Sequence, residues 1–308
     1  MANLIVNISP PKCGTTGLYF ALVASREVIG STLKEPRFFA GEGDGDAPNL
    51  PNAMTTVGNY SNGLGWHDGL FKGERGERYR IDFTTYYAII PETPQLIAQH
   101  YPNTKFIFVL RDPVKRFISQ YYQYTKMGIR MPSIEEVVLG GNPISDLIYR
   151  FSDYRSTHER FAEAFSEEAI QFLDFRDLTQ DYEKVAQACN AFLGTDDIEY
   201  DPSDREKNSA GRPRLGLLQR ALFSDTARRA FQGVSPALKT KLLRIRKKVI
   251  LANVKAEEYP PLPLWLETVL HERLAAQTTF YHERFPNGGL DAGANCERAM
   301  PHPAGRQT

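Results

Sequence analysis

The chain has no surplus of either charge: 37 Lys and Arg balance 37 Asp and Glu over 308 residues. A protein built to coat nucleic acid or anionic lipid carries a cationic excess, so neither is an expected partner. Cysteine is scarce. Cys13, Cys189 and Cys296 are scattered, which excludes a disulfide framework and a cysteine-based metal spacing. Long hydrophobic runs are also missing, and no window approaches the run of about 18 apolar residues that spans a bilayer. Met1 to Val6 lacks the basic and long apolar regions of a signal peptide, so a cytoplasmic protein is expected. No internal repeat is visible. With 42% hydrophobic and 24% charged residues, the composition is that of an ordinary globular protein.

What is present starts at the N-terminus. Leu4–Ile8 is a short run rich in branched apolar residues, as in a buried parallel strand. It meets Ser9-Pro10-Pro11-Lys12-Cys13-Gly14-Thr15-Thr16 and then a helical stretch over Gly17–Val23. Further strands are predicted at Tyr79–Phe83, Lys105–Leu110 and Ala169–Phe175, and helices at Pro94–Tyr101, from Pro113 onward, over 146–165 as one unit, and over Tyr182–Leu193 closed by Gly194. Asp112 has the chemistry of an N-cap and Pro113 that of a first helical residue. The glycine-rich stretch 41–65 reads as a long loop, and 202–214 as irregular. Beyond it the chain reads as mostly helical to Phe285, broken by prolines at 259–263. This alternation predicts an α/β fold with three layers, P-loop-like, with a central, mainly parallel sheet flanked by helices. Leu4–Ile8 and Phe106–Leu110 are expected near the middle of that sheet. One domain over 1–285 and a disordered tail over 286–308 are expected.

Strand, Gly/Thr turn, helix is the layout of a phosphate-binding loop. The ATP-type loop needs its lysine after the last glycine, whereas Lys12 precedes Gly14. The physics still suits an anion. Gly14 admits close backbone approach, Thr15 and Thr16 add hydroxyls, a helix start supplies free N–H groups, and Lys12 adds a cation. Composition alone leaves an ordinary strand–turn–helix connection open. A kinase would also need a carboxylate for its metal, and no apolar strand ending in Asp is evident in the sequence.

Pro11-Lys12-Cys13-Gly14-Thr15-Thr16 resembles the Pro-Lys-Ser/Gly-Gly-Thr-Thr loop of sulfotransferases that use 3'-phosphoadenosine-5'-phosphosulfate (PAPS). Arg111-Asp112-Pro113-Val114-Lys115-Arg116-Phe117-Ile118-Ser119 is similar to a second signature of that family. Lys34-Glu35-Pro36-Arg37-Phe38-Phe39, Gly63-Leu64-Gly65-Trp66, Asp174-Phe175-Arg176-Asp177-Leu178 and Ala191-Phe192-Leu193-Gly194 follow in the family order over roughly 4–285, nearest the glycan-type and bacterial members. The resemblance implies that Lys12, Cys13, Gly14, Thr15 and Thr16 hold the phosphosulfate, with Lys12 neutralising the leaving oxygen. It implies that Arg111 and Ser119 grip the 3'-phosphate and that the product is 3',5'-diphosphoadenosine, with no metal required. For Arg111 the plain alternative is a surface ion pair, and for Ser119 a solvated serine. The basic run 205–214, with Lys207 and Arg212, is similar to a nucleotide-capping loop, or else is a solvated charge cluster.

In-line sulfuryl transfer calls for a base. Glu35 stands where the glycan enzymes carry a glutamate base, and none of His67, His100, His158, His271, His282 and His302 matches the histidine style. Its plain alternative is a loop acid paired with Lys34 or Arg37. Arg37 replaces a common histidine, Asp82-Phe83-Thr84-Thr85-Tyr86-Tyr87 lacks the family's second lysine, and Gly17 replaces a stacking tryptophan. The expected acceptor is a small or medium-sized molecule or an oligosaccharide with a hydroxyl, an amine being the second choice, and the 41–65 loop is expected at its mouth. A P-loop kinase and a non-catalytic nucleotide-binding protein are the alternatives. The basic helix carrying Lys239 to Lys248 reads as an ordinary amphipathic helix.

Overall fold

The computed structural model describes residues 2–41, 58–72, 76–127, 129–200, 211–213, 254–256 and 259–286. Five strands form one sheet: β1 (Asn3–Asn7), β2 (Val28–Gly30), β3 (Tyr79–Asp82), β4 (Lys105–Leu110) and β5 (Ile170–Asp174). Their order is β2-β3-β1-β4-β5, and every pair is parallel. The two expected central runs thus lie side by side, with Val6 opposite Phe106.

Strand alternation divides the core into two layers. Leu4, Val6, Phe106, Phe108 and Leu110 face one apolar cluster, while Ile5, Ile107, Val109, Tyr79 and Ile81 face the other. The first cluster is covered by α3 (Thr93–His100), α4 (Pro113–Lys126), α5 (Ile134–Leu139), α6 (Pro143–Arg150), α7 (Tyr154–Ala164), α10 (Leu264–Arg273) and α11 (Ala275–Arg284). The second is covered by α1 (Thr15–Ala24) and α9 (Tyr182–Leu193). Two short helices, α2 (Leu64–Asp68) and α8 (Asp177–Gln180), sit in connections. This is the three-layer α/β fold expected from the alternation.

Local chemistry sets the helix ends. Asp112 accepts the Lys115 N–H at the start of α4, with Pro113 in the first turn, and Gly194 closes α9 in the left-handed region. The single helix expected over 146–165 is two, α6 and α7. The chain turns at Phe151 and Ser152, and the Asp153 side chain caps α7 by accepting the Ser156 N–H. Two strands fall where a loop and a helix were expected: β6 (Gly211–Pro213) and β7 (Val254–Ala256) pair antiparallel. This pairing joins distant segments, so no local pattern announces it. The expected amphipathic helix over 239–248 and the tail beyond Pro286 lie outside the described residues. No helix among the described residues is long and apolar enough to cross a membrane.

Candidate active site

The connection from β1 to α1 is anchored at the sheet centre. The Ser9 N–H donates to Asn7 Oδ1 at 3.2 Å, and Ser9 Oγ accepts the Val109 N–H at 2.7 Å. The loop then takes two left-handed turns, at Lys12 (φ 75°) and Gly14 (φ 79°). Gly14 is required twice over: its φ is positive, and a Cβ there would meet the Phe175 ring at 3.2 Å. Lys12 holds the same region at a cost of about 1–2 kcal/mol. Gly14 caps α1 without a side-chain hydrogen bond, so the first N–H groups keep their partial positive charge for another partner.

Cations gather around this loop. Arg111, just past β4, donates from Nη1 to the Lys12 carbonyl at 2.9 Å and lies over the Phe175 ring at 4.5 Å. Lys12 Nζ donates to Gln123 Oε1 at 3.2 Å, and Lys34 Nζ donates to Thr16 Oγ1 at 2.7 Å. No carboxylate among the described residues forms an ion pair with Lys12 or Arg111. Lys12 is consequently pushed down to about 8, by burial first and then by Arg111 and Lys126. Deeper still, Arg116 is fully buried with only neutral partners, at 2.7 Å to Gln120 Oε1, 2.8 Å to the Ile148 carbonyl and 2.5 Å to Ser152 Oγ. Positive charge held beside bare helix N–H groups without an acid fits a bound phosphate or sulfate group.

The segments beside the loop carry acids. In the Lys34–Phe39 segment, Glu35 is hydrogen-bonded by the Thr85 side chain, and burial raises its carboxyl above the ordinary range while Lys34 and Arg37 oppose. Arg37 adopts a positive φ of 54° and lies over the Tyr86 ring at 4.4 Å. Asp82, at the end of β3, is fully buried and hydrogen-bonded by Thr84 and Tyr87, so it is closed to an acceptor. His67 is buried among Phe38, Phe39, Phe71 and Tyr101, and His158 packs between Phe172 and Phe280.

Of the residues singled out from the sequence, the fold joins Lys12 to Arg111 directly, and ties Thr16 to Glu35 through the neighbouring Lys34. Cys13 is buried in the loop, and burial pushes its thiol up to about 11. Thr15 and Ser119 are buried, so the solvated reading of Ser119 is wrong; the pattern of α4 hides it because a serine carries no apolar periodicity. Arg111 makes no ion pair among the described residues, contrary to the plain alternative. Lys207 and residues 42–57 lie outside the described residues; Arg212 stands in β6, whose backbone lies against α4. Lys34, Gln123 and Arg116 were not singled out, although Lys34 adjoins Glu35 and Arg116 lies inside the second motif. Two strands do end in aspartate, against the sequence expectation. Asp82 is held as above, and Asp174 is held by Arg176 and by the Tyr281 hydroxyl at 3.0 Å.

The chain is 35% identical over 74 residues to heparan sulfate glucosamine 3-O-sulfotransferase 6 of Mus musculus, a match covering 24% of this chain and 22% of that protein. It is 28% identical over 177 residues to the membrane-associated sulfotransferase kil1 of Dictyostelium discoideum, covering 54% of this chain and 32% of that protein. These matches span a third or less of the relatives' own length. A solved sulfotransferase from Alicyclobacillus acidocaldarius shares the fold at a TM-score of 0.55 and 22% identity, covering 90% of this chain and 98% of that chain. Residues 4–201 match the sulfotransferase domain, and the chain belongs to that family.

Proposed function

We propose that this chain moves the sulfuryl group of PAPS to a hydroxyl of a small or medium-sized acceptor or an oligosaccharide, an amine being the second choice. One observation carries the reading: Lys12 and Arg111 stand together at the uncapped start of α1 with no acid paired to them among the described residues. PAPS supplies an activated sulfuryl group on a diphosphorylated leaving nucleotide. Lys12, Cys13, Gly14, Thr15 and Thr16 would hold its 5' end, and Arg111 and Ser119 its 3'-phosphate, with Lys207 and Arg212 as capping cations. Lys12 would neutralise charge on the departing oxygen, an electrostatic role that needs no proton transfer. Lys34 fixes the Thr16 hydroxyl and links the anion loop to the segment bearing Glu35.

Glu35 would take the acceptor proton. Its carboxyl is raised by burial, which brings its basicity closer to neutral pH, where a general base works best. Lys34 and Arg37 oppose the rise. Two measurements test the reading. Calorimetry should detect tight binding of 3',5'-diphosphoadenosine without magnesium, and weaker binding of ATP with magnesium; the reverse order would point to a kinase. Glu35→Gln keeps the shape and removes the basicity, so turnover should fall roughly 100-fold with nucleotide affinity nearly unchanged. Normal turnover in that variant would overturn the role of Glu35.

A further inference from the structure

Asp82 has neither solvent contact nor access to an acceptor, yet its two oxygens lead outward along separate lines. Oδ1 accepts the Thr84 hydroxyl at 2.8 Å, and Thr84 Oγ1 in turn accepts the Arg37 N–H at 3.1 Å. Oδ2 accepts the Tyr87 hydroxyl at 2.7 Å, and the Tyr87 oxygen in turn accepts the Phe39 N–H at 3.1 Å. Both lines therefore end on the backbone of the segment that carries Glu35. We infer that Asp82 is a positioning residue, clamping residues 37 and 39 to the end of β3 through two hydroxyls and so fixing Glu35 against the anion loop.

The direction of each hydrogen bond makes the carboxylate necessary. An ionised carboxylate only accepts, so both hydroxyl protons must point inward. Their lone pairs are then left facing the Arg37 and Phe39 N–H groups. This arrangement also holds Arg37 in its positive-φ turn, a conformation that a non-glycine residue keeps only under external constraint. The Thr84 N–H adds a further donor to Oδ1 at 3.1 Å. The other titratable groups around Asp82 come from three elements. They are His67 of α2, whose Nε2 is 3.5 Å from Oδ2, Tyr19 of α1, and Glu35 itself. The His67 ring stacks on Phe38 at 4.8 Å and meets Phe39 edge-on at 5.0 Å, so it supports the same segment from its apolar side. The negative charge of Asp82 also adds to the upward shift of Glu35.

The clamp rests on the reading of Glu35 as base only for its catalytic consequence, and amide hydrogen exchange on the full chain tests it independently. Thr84→Val should speed exchange of the Arg37 amide by about tenfold and leave Phe39 alone, as loss of one buried hydrogen bond implies. Thr84→Ser keeps the hydroxyl and should restore protection. Tyr87→Phe should speed Phe39 alone. In Asp82→Asn the new NH2 deprives one hydroxyl proton of its acceptor, so at least one of the two amides should exchange faster; the Thr84 and Tyr87 variants carry the test if Asp82→Asn does not fold. Wild-type exchange at both amides in all folded variants would overturn the clamp. Turnover is read in parallel as release of 3',5'-diphosphoadenosine from PAPS with a panel of phenol and sugar acceptors. Thr84→Val should lower kcat, with nucleotide affinity unchanged. Faster exchange with full turnover in both Thr84→Val and Glu35→Gln would overturn the base assignment instead and leave the clamp standing.

Discussion

Past the ends of β1 and β4, Lys12 donates to Gln123 Oε1 and Arg111 donates to the Lys12 carbonyl, with no acid paired to either among the described residues. Past the end of β3, buried Asp82 receives two hydroxyls and a backbone N–H, all from the fold around it. The two sites sit in neighbouring parts of one sheet, where strands that end together open a crevice for ligands. Their difference separates recognition from support. A cation left with few, neutral partners is destabilised until an anion arrives, whereas an enclosed group hydrogen-bonded by several donors of the fold holds structure. Lys12, pushed down to about 8 by burial and by Arg111 and Lys126, fits the first condition.

The largest effect should come from removing the cation at the anion loop. Lys12→Met keeps the length of the side chain and should lower turnover by roughly 10²–10³-fold, the range found for loss of one preorganised electrostatic partner. A variant that still turns over within a few-fold of wild type would mean that the cation cluster is not aimed at developing charge. Next in size, Arg111→Ala removes a fork donor that also supports the Lys12 carbonyl. Affinity for 3',5'-diphosphoadenosine should drop by about 2–3 kcal/mol in calorimetry, as charged hydrogen bonds imply. Unchanged affinity would break the contrast between the two strand ends, because Arg111 would then serve the fold as Asp82 does.

Much of this frame is legible in the sequence where the signal is local. Phe106–Leu110 is an uninterrupted apolar run, and with Lys105 it forms β4 over the expected bounds. Asp112 and Pro113 announce the start of α4 because a cap needs only residues within its own turn. The anion loop is legible for the same reason, since its glycine, threonines and lysine are contiguous. Non-local features are not. The break between α6 and α7 hides inside an apolar period that continues across it, and β6 and β7 meet only in the folded chain. The contact of Lys34 with Thr16 and the enclosure of Asp82 depend on which loops the sheet brings together. Position along the chain suggested that Glu35 follows the phosphate loop, but not that Asp82 is buried behind it.

A smaller effect should follow from the glycine that shapes the anion loop. Gly14→Ala imposes a Cβ on a φ of 79° and brings it to 3.2 Å from Phe175. Destabilisation of about 1–2 kcal/mol is expected from the left-handed backbone alone, and is read as a lower midpoint in urea with an unchanged slope. A neutral substitution would mean that the loop relaxes without the turn.

The smallest effect, and the most specific to the contrast, is a pH dependence. Lys12 lies at about 8 in the unliganded protein, against 10.5 for the free side chain. Between these values the unfolded chain binds more protons at Lys12 than the native one, so the Lys12 contribution to stability of the unliganded protein should rise with pH from about 8. Above about pH 9 the raised thiols of Cys13 and Cys189 work against it, so the rise is read between about pH 8 and 9. Nucleotide affinity should move the other way. A bound anion favours charged Lys12, so above about pH 8 binding must recover a proton, and affinity should fall by less than tenfold per pH unit. Phosphate monoester groups have lost their second proton above about pH 7, so the ligand itself stays constant. Cys13, raised to about 11, keeps its proton in the native protein over the pH 7 to 9 range of the binding measurement. Calorimetry of 3',5'-diphosphoadenosine binding in two buffers of different ionisation heat reads the proton directly, with uptake near zero at about pH 7 and rising toward one at about pH 9. Lys12→Arg places a group that does not titrate in this range and should flatten the profile, leaving only the share of Lys34, which burial also lowers. Wild-type binding with no proton uptake at the higher pH would show that Lys12 is already satisfied before the nucleotide arrives, and the contrast between the two strand ends would fail.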